Sequence, residues 1–397
     1  MDAERTFEMA AESLLPVYSP ELLIERGNGS RVWTADGKEF LDFATGIGVC
    51  SLGHCHPAVV DAIAKQAAEL AHVSNLYLTR PQVELASRLV EETGFPSRVF
   101  FSNSGAEANE AMIKLARKYG SESGRHEIVA MENSFHGRTL ATLAATGRSK
   151  YREGFGPDMP GFVHARFNDI DDVRSKISDK TCAILVEPIQ GEGGVISAEK
   201  CFMEGLDEIR RESGALLLFD EVQCGMCRTG AFFAWKRFGV EPDAFSLAKA
   251  LANGMPIGAM IASERLSGVL GVGAHASTFG GNPVSCAAAV AVVDTMRGEN
   301  IARSALEMGR DIFERLIAMA ERFDMIRGIR GMGLMIGVEL DRKADGLKRA
   351  IQRRGVLALT AGENVLRLMP PLNISREDAN AALTAIELAF AEIQEEK

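Results

Sequence analysis

Five short apolar runs constrain this chain more than any other feature: RVFFS (98–102), EIVAM (127–131), CAILVE (182–187), ALLLFD (215–220) and AFSLA (244–248). None alternates cleanly with polar residues, so each suits a strand buried on both faces, as in a mainly parallel sheet covered by helices. The intervening stretches supply the crossovers. In GAEANEAMIKLARKYG (105–120), Ala108, Ala111, Met112, Leu115 and Ala116 share one stripe and the charges lie opposite. The predicted class is therefore α/β, with a mainly parallel central sheet flanked by helices.

Both ends of the chain read differently. Near the start, ERGNGS marks a turn and RVWTADGKEFLDF reads as a hairpin, with Asp36-Gly37 as its turn signal. After about residue 285 the pattern is helix-rich, and GMGLMIGVEL and VLRLMPPLNI follow as candidate strands. At roughly 100–200 residues per domain, 397 residues make two or three domains. We expect an N-terminal segment over 1–45 that joins a small α+β domain, a large domain over 46–284, and the rest of the small domain over 285–397. No internal repeat or low-complexity tract interrupts this plan.

A net charge of −10 leaves little basic surface for a nucleic acid or an anionic membrane, so small molecules are the expected partners. No apolar run approaches the roughly 18 residues of a membrane span. The seven cysteines, Cys50, Cys55, Cys182, Cys201, Cys224, Cys227 and Cys286, form no disulfide framework, which fits a reducing compartment. The start, MDAERTFEMA, has neither the apolar core of a signal peptide nor the arginine-rich character of a transit peptide, and a cytoplasmic location is expected.

In open α/β sheets, ligands gather at the carboxyl ends of the strands. Three predicted strands end there in ionisable groups: Glu187, Asp220 and Lys249, the last inside FSLAKALANGMPIGAM (245–260). Each taken singly also reads as a charge marking where a buried strand meets water. Together, a lysine able to form a Schiff base and a carboxylate to pair with a pyridinium nitrogen are what pyridoxal phosphate requires. SNSGAEA offers small residues leading into a helix, where free backbone N–H groups suit a phosphate; Ser102, Asn103 or Ser104 would equally serve as an ordinary cap. Phe135 in NSFHGRT reads as a ring-stacking or a core aromatic. Arg138 reads as a carboxylate clamp or a solvated charge.

Six motifs in order, NSGAEANEAMIKLARKY, SFHGRTL, VEPIQGEGGV, LLLFDEVQCGMCRTG, LAKALANGMPIGAM and STFGGNP, resemble the class III pyridoxal-phosphate aminotransferases, most closely their acetylornithine group. GIGVCSLGHCHPAVV and AGENVLRLMPPLNI extend the likeness over nearly the whole chain. The resemblance implies fold type I and a homodimer with shared active sites. It makes Lys249 the Schiff-base lysine, and sets Asp220 on the pyridine nitrogen and Gln223 on the ring hydroxyl. The amides of Gly105 and Ala106 would hold the phosphate and Phe135 would stack on the ring. Ser277 and Thr278 would reach substrate and phosphate across the subunit boundary. Arg138 would take a carboxylate of the donor, Arg367 the α-carboxylate of glutamate or 2-oxoglutarate, and Glu192 would neutralise Arg367 while the donor is bound.

The implied reaction is ping-pong transfer of the terminal amino group of N2-acetyl-L-ornithine to 2-oxoglutarate, a step of arginine biosynthesis. Sibling transaminases for succinylornithine, ornithine, succinyl-diaminopimelate or 4-aminobutyrate share the motifs, and an aminomutase or racemase is the more distant alternative. Two positions depart from the family pattern. Cys224 stands where a threonine is usual and Cys227 where a glycine is usual, which creates a C-x-x-C spacing. With Cys50, His54, Cys55 and His56 elsewhere, a zinc or redox site is conceivable, yet the cysteine pair lies inside a cofactor-binding segment where buried thiols act as modest hydrophobes, so no metal is expected.

Overall fold

The structure, a computed structural model, describes residues 2–395. After a helix over Ala3–Ser13 come β1 (Ile24–Asn28), β2 (Arg31–Thr34) and β3 (Glu39–Asp42), consecutive antiparallel neighbours. It continues through β4 (Ser97–Ser102), β5 (Glu127–Met131), β6 (Phe162–Ala165) and β7 (Thr181–Val186). A short hairpin, β8 (Ile189–Gln190) and β9 (Ile196–Ser197), precedes β10 (Leu216–Asp220), β11 (Ala244–Leu247) and β12 (Gly258–Ser263). The last strands are β13 (Ile326–Met332), β14 (Met335–Leu340), β15 (Val356–Leu357), β16 (Leu359–Ala361) and β17 (Val365–Leu368).

Seven of these strands form one sheet in the order β4-β12-β11-β10-β7-β5-β6. All run parallel except β12, which is antiparallel to both β11 and β4. Successive residues of β10 show why its sequence lacks alternation. Leu216 and Leu218 pack with Ala111, Met112 and Leu115 of the helix Gly105–Gly120, whereas Leu217 and Phe219 pack with Phe202, Leu206 and Ile209 of the helix Lys200–Ser213. Both faces are dry, and each fully buried apolar side chain contributes about 1.5–3 kcal/mol. A polar residue on either face would lose its water without compensation.

The expected hairpin through Asp36-Gly37 is β2–β3, and the five predicted runs coincide with β4, β5, β7, β10 and β11 to within one residue. Two strands of the sheet were not legible. β6, FVHA, is a short edge strand carrying a histidine, and β12, GAMIAS, follows directly on glycine and proline punctuation. GMGLMIGVEL holds the end of β13, a turn at 333–334 and the whole of β14. Gly333, at φ 58°, reverses the chain, and a β carbon there would stand 2.6 Å from the Arg228 carbonyl oxygen.

The two ends of the chain meet through β15, which pairs in parallel with β3 (Val356 opposite Leu41). A second antiparallel sheet, β13-β14-β17-β16, is covered by the helices Ile301–Ala320 and Arg376–Glu395 and carries Arg367 on β17. Among the described residues, no helix is long and apolar enough to cross a membrane.

Candidate active site

A cavity of about 460 Å³ opens at the carboxyl ends of β7, β10 and β11, and Glu187, Asp220 and Lys249 all line it. Lys249 follows β11 after two residues and holds φ 42°, a left-handed conformation rare for a residue with a side chain. Burial is the main influence that lowers its amine pKa, and Arg367 lowers it further, against Glu192, Asp220 and Glu187, which raise it. The amine thus gives up its proton more easily than a surface lysine does.

Asp220 ends β10 and is 4% exposed. Its Oδ2 accepts from Asn109 Nδ2 at 2.7 Å and shares a hydrogen bond with His136 Nδ1 at 2.8 Å, while Oδ1 accepts the Val222 N–H at 3.0 Å. Burial favours neutral His136, yet the bond and charge of Asp220 outweigh it and raise the imidazole pKa. Glu187 is held by the Phe135 N–H at 2.8 Å, and burial foremost pushes its carboxyl up to about 7. Asn109 and His136 escaped the sequence reading. The signal for Asn109 was a polar residue on the apolar stripe of its helix, between Ala108 and Met112; for His136 it was adjacency to Phe135.

The helix Gly105–Gly120 starts at the cavity wall. Ser104 is its cap and accepts the Glu107 N–H, so the amides of Gly105 and Ala106 remain without intrahelical partners. Close approach requires glycine on both sides of this turn: a β carbon at Gly105 would stand 2.7 Å from Val222, and one at Gly258 would stand 2.2 Å from the Ser104 carbonyl oxygen. An anion cradle, a buried carboxylate, the Phe135 ring and an enclosed lysine in one cavity fit pyridoxal phosphate.

Glu192 also lines the cavity, and its Oε1 accepts from Nη1 of Arg367, which lies behind the lining, at 2.6 Å. Burial pushes the Glu192 carboxyl up, but the charge and hydrogen bond of Arg367, with Lys249 and Gln223, hold it below the usual range. Gln223 accepts from Arg367 at 3.0 Å and donates to Glu192 at 3.4 Å. Arg367 itself is 2% exposed. Arg138 stands on the cavity wall with its guanidinium 4.0 Å from the centre of the Tyr151 ring.

Ser277 and Thr278 are not among the cavity-lining residues of a single chain. Ser277 reaches the rim by accepting from Asn103 at 3.2 Å, while Thr278 lies exposed beside a separate surface pocket. Around it, Leu76, Tyr77, Leu78 and Phe279 are all more than half exposed. Cys224 and Cys227 are buried, and burial pushes the Cys227 thiol up to about 12, which leaves it inert as a thiolate. Among the described residues, no cluster of three or more His, Cys, Asp or Glu side chains could hold a metal ion.

The family described as "Aminotransferase class-III" matches residues 16–390. An acetylornithine aminotransferase of Methanocaldococcus jannaschii is 45% identical over 399 residues, covering 99% of this chain and 98% of that protein. A succinylornithine transaminase of Citrobacter koseri is 44% identical over 402 residues, covering 99% of each. Among solved structures, an ornithine aminotransferase of Toxoplasma gondii, described with partial occupancy of PLP at its active site, superposes with a TM-score of 0.95 at 32% identity, covering 100% of this chain and 96% of that one.

Proposed function

The chain belongs to the class III aminotransferases, and from that premise we propose that it transfers the terminal amino group of N2-acetyl-L-ornithine to 2-oxoglutarate. The products are N-acetyl-L-glutamate 5-semialdehyde and L-glutamate, and the step serves arginine biosynthesis. The observation that carries this reading is Glu192, which lines the cavity together with Arg138 and bonds the buried Arg367 behind it at 2.6 Å. A transaminase of this kind accepts two unlike molecules in one site. The donor brings one carboxylate to Arg138, while Glu192 neutralises Arg367; 2-oxoglutarate brings two carboxylates and takes the place of Glu192 on Arg367.

Pyridoxal phosphate, when bound, supplies an electron sink that acidifies the hydrogen on the amine-bearing carbon. Gly105 and Ala106 would hold its phosphate through their N–H groups, Phe135 would lie against its ring, and Asp220 would face the ring nitrogen, oriented by Asn109 and His136. Gln223, on the same wall, would meet the ring hydroxyl. Lys249 would anchor the group and would accept and release the proton at its Nζ, a role that the lowering of its pKa by burial favours. Glu187 holds the Phe135 backbone through its N–H.

Ser277 and Thr278 complete the site of a second copy in a homodimer. The reading is supported by the exposure of Thr278 and by the apolar Leu76, Tyr77, Leu78 and Phe279 around it, which a neighbouring subunit would cover. An aminomutase or racemase needs no second oxo acid, and the masked Arg367 has no use in such a reaction.

The test is a single-turnover titration of the cofactor-loaded protein with N2-acetylornithine, succinylornithine, ornithine and 4-aminobutyrate, followed by cofactor absorbance. The expected result is preferential conversion of the acetylated donor, reversed by 2-oxoglutarate. Preference for another amine would move the enzyme to a sibling reaction, and no conversion with any of them would overturn the transaminase reading.

A further inference from the structure

Two residues outside every role described so far link Arg138 on the cavity wall to the Glu192–Arg367 pair. Tyr151 lies on the short helix Ser149–Arg152. Its ring stacks under the Arg138 guanidinium at 4.0 Å and meets the Phe135 ring edge-on at 5.8 Å between centres. Arg148 approaches the same ring from the chain side, with its guanidinium 5.1 Å from the centre. Arg148 Nη1 donates to the Tyr151 hydroxyl oxygen at 3.2 Å and to the Glu192 carbonyl oxygen at 3.0 Å. The side chain of that same Glu192 covers Arg367. The contacts therefore run without a break from Arg138 through Tyr151 and Arg148 to Glu192 and Arg367.

We propose that Tyr151 and Arg148 are positioning residues that couple the two substrate-carboxylate sites, holding Glu192 over Arg367 while Arg138 is set for the donor. The inference rests on the transaminase reading above. Neither residue touches the reacting atoms in this arrangement. Tyr151 restricts a cavity-wall arginine whose side chain would otherwise sample many rotamers, and a cation over an aromatic face is held by the negative potential of the ring. Arg148 ties the backbone of the turn that carries Glu192. The far side of the turn is held separately, where Arg330 donates to the Gly194 carbonyl oxygen at 2.8 Å, so Arg148 is the tie next to Glu192. Loosening the Arg148 side shifts the balance between the masked and the open Arg367. A residue that merely supported the fold would weaken both substrates together, whereas a coupling residue moves them in opposite directions.

The test compares wild type with Arg148→Met, Arg148→Lys, Tyr151→Phe and Tyr151→Leu, all loaded with cofactor. Two quantities are measured: the concentration of N2-acetylornithine that half-saturates the first half-reaction, and the dissociation constant of glutarate, an unreactive dicarboxylate, by calorimetry. For Arg148→Met we expect glutarate to bind about three- to tenfold tighter and the donor to require a similarly higher concentration. Arg148→Lys should recover most of the wild-type values. Tyr151→Phe should move both constants the same way as Arg148→Met but less, and Tyr151→Leu should raise the donor requirement further, because Arg138 loses its platform. Constants that stay within twofold of wild type, or that both weaken, would overturn the coupling while leaving the transaminase reading intact. A wild-type protein that converts no amine donor at all would overturn both.

Discussion

Lys249 occupies a left-handed backbone position, at φ 42°, that its side chain would not choose in a free peptide. The strain is held by neighbours that are themselves fixed: β11 before it, and Asn253 after it, whose side chain bonds the Leu52 N–H at 2.8 Å and the Gly53 carbonyl oxygen at 2.9 Å. Burial lowers the pKa of the amine, and the lowered carboxyl of Glu192 keeps the neighbouring charge negative across neutral pH. On the role proposed for Lys249, Lys249→Ala removes the proton-transferring group and should slow each half-reaction by about 10²–10⁴-fold, read by stopped-flow absorbance of the cofactor. A rate within tenfold of wild type would assign the proton transfer to another group.

Between elements, the tie to watch joins β3 to the loop after it. His54 Nε2 meets Asp42 Oδ2 at 2.7 Å, and the His54 backbone pairs with Gly29. The Asp42 hydrogen bond, with Cys50 adding to it, raises the imidazole pKa from 6.5 to about 10. Because the folded value lies above the unfolded one, the charged pair contributes its full stability below about pH 6.5 and loses it as the pH rises toward 10. The melting temperature of wild type should therefore fall more steeply between pH 7 and pH 10 than that of His54→Gln. Parallel slopes in thermal melts would show that the pair carries no linkage.

On the scale of the whole molecule, Arg228 is the point where distant segments meet. It is 1% exposed, has no carboxylate partner among the described residues, and burial lowers its pKa to about 9. Its guanidinium donates to the carbonyl oxygens of Leu334 at 3.0 Å and Pro370 at 2.6 Å, and to Ser51 Oγ at 2.9 Å. One side chain thus joins the early chain, the cofactor-binding segment and the sheet that carries Arg367. Arg228→Ala would leave a cavity and two buried carbonyls without donors, at a cost of about 2–5 kcal/mol. Thermal or denaturant unfolding should register it, and a loss below about 1 kcal/mol would mean that water replaces the guanidinium.

The sheet strands Glu127–Met131 and Leu216–Asp220 were legible because burial on both faces leaves an uninterrupted apolar run, and the helix Gly105–Gly120 because burial on one face leaves a stripe. The same local rules placed Glu187, Asp220 and Lys249 at strand ends, and family resemblance supplied roles for Arg138, Glu192 and Arg367. β12 was hidden, since its six residues are told from loop only by the two strands between which they insert. Asn109, His136, Tyr151 and Arg148 were hidden for a related reason. Each acts on a residue far away in the chain or around a turn, as Asn109 does on Asp220 and Arg148 on Glu192. The sequence by itself determined which segments are buried and which chemistry the chain carries, because burial and backbone preference are local properties. The tertiary structure alone decided which polar groups face one another, because a hydrogen bond depends on distances that only the folded chain sets.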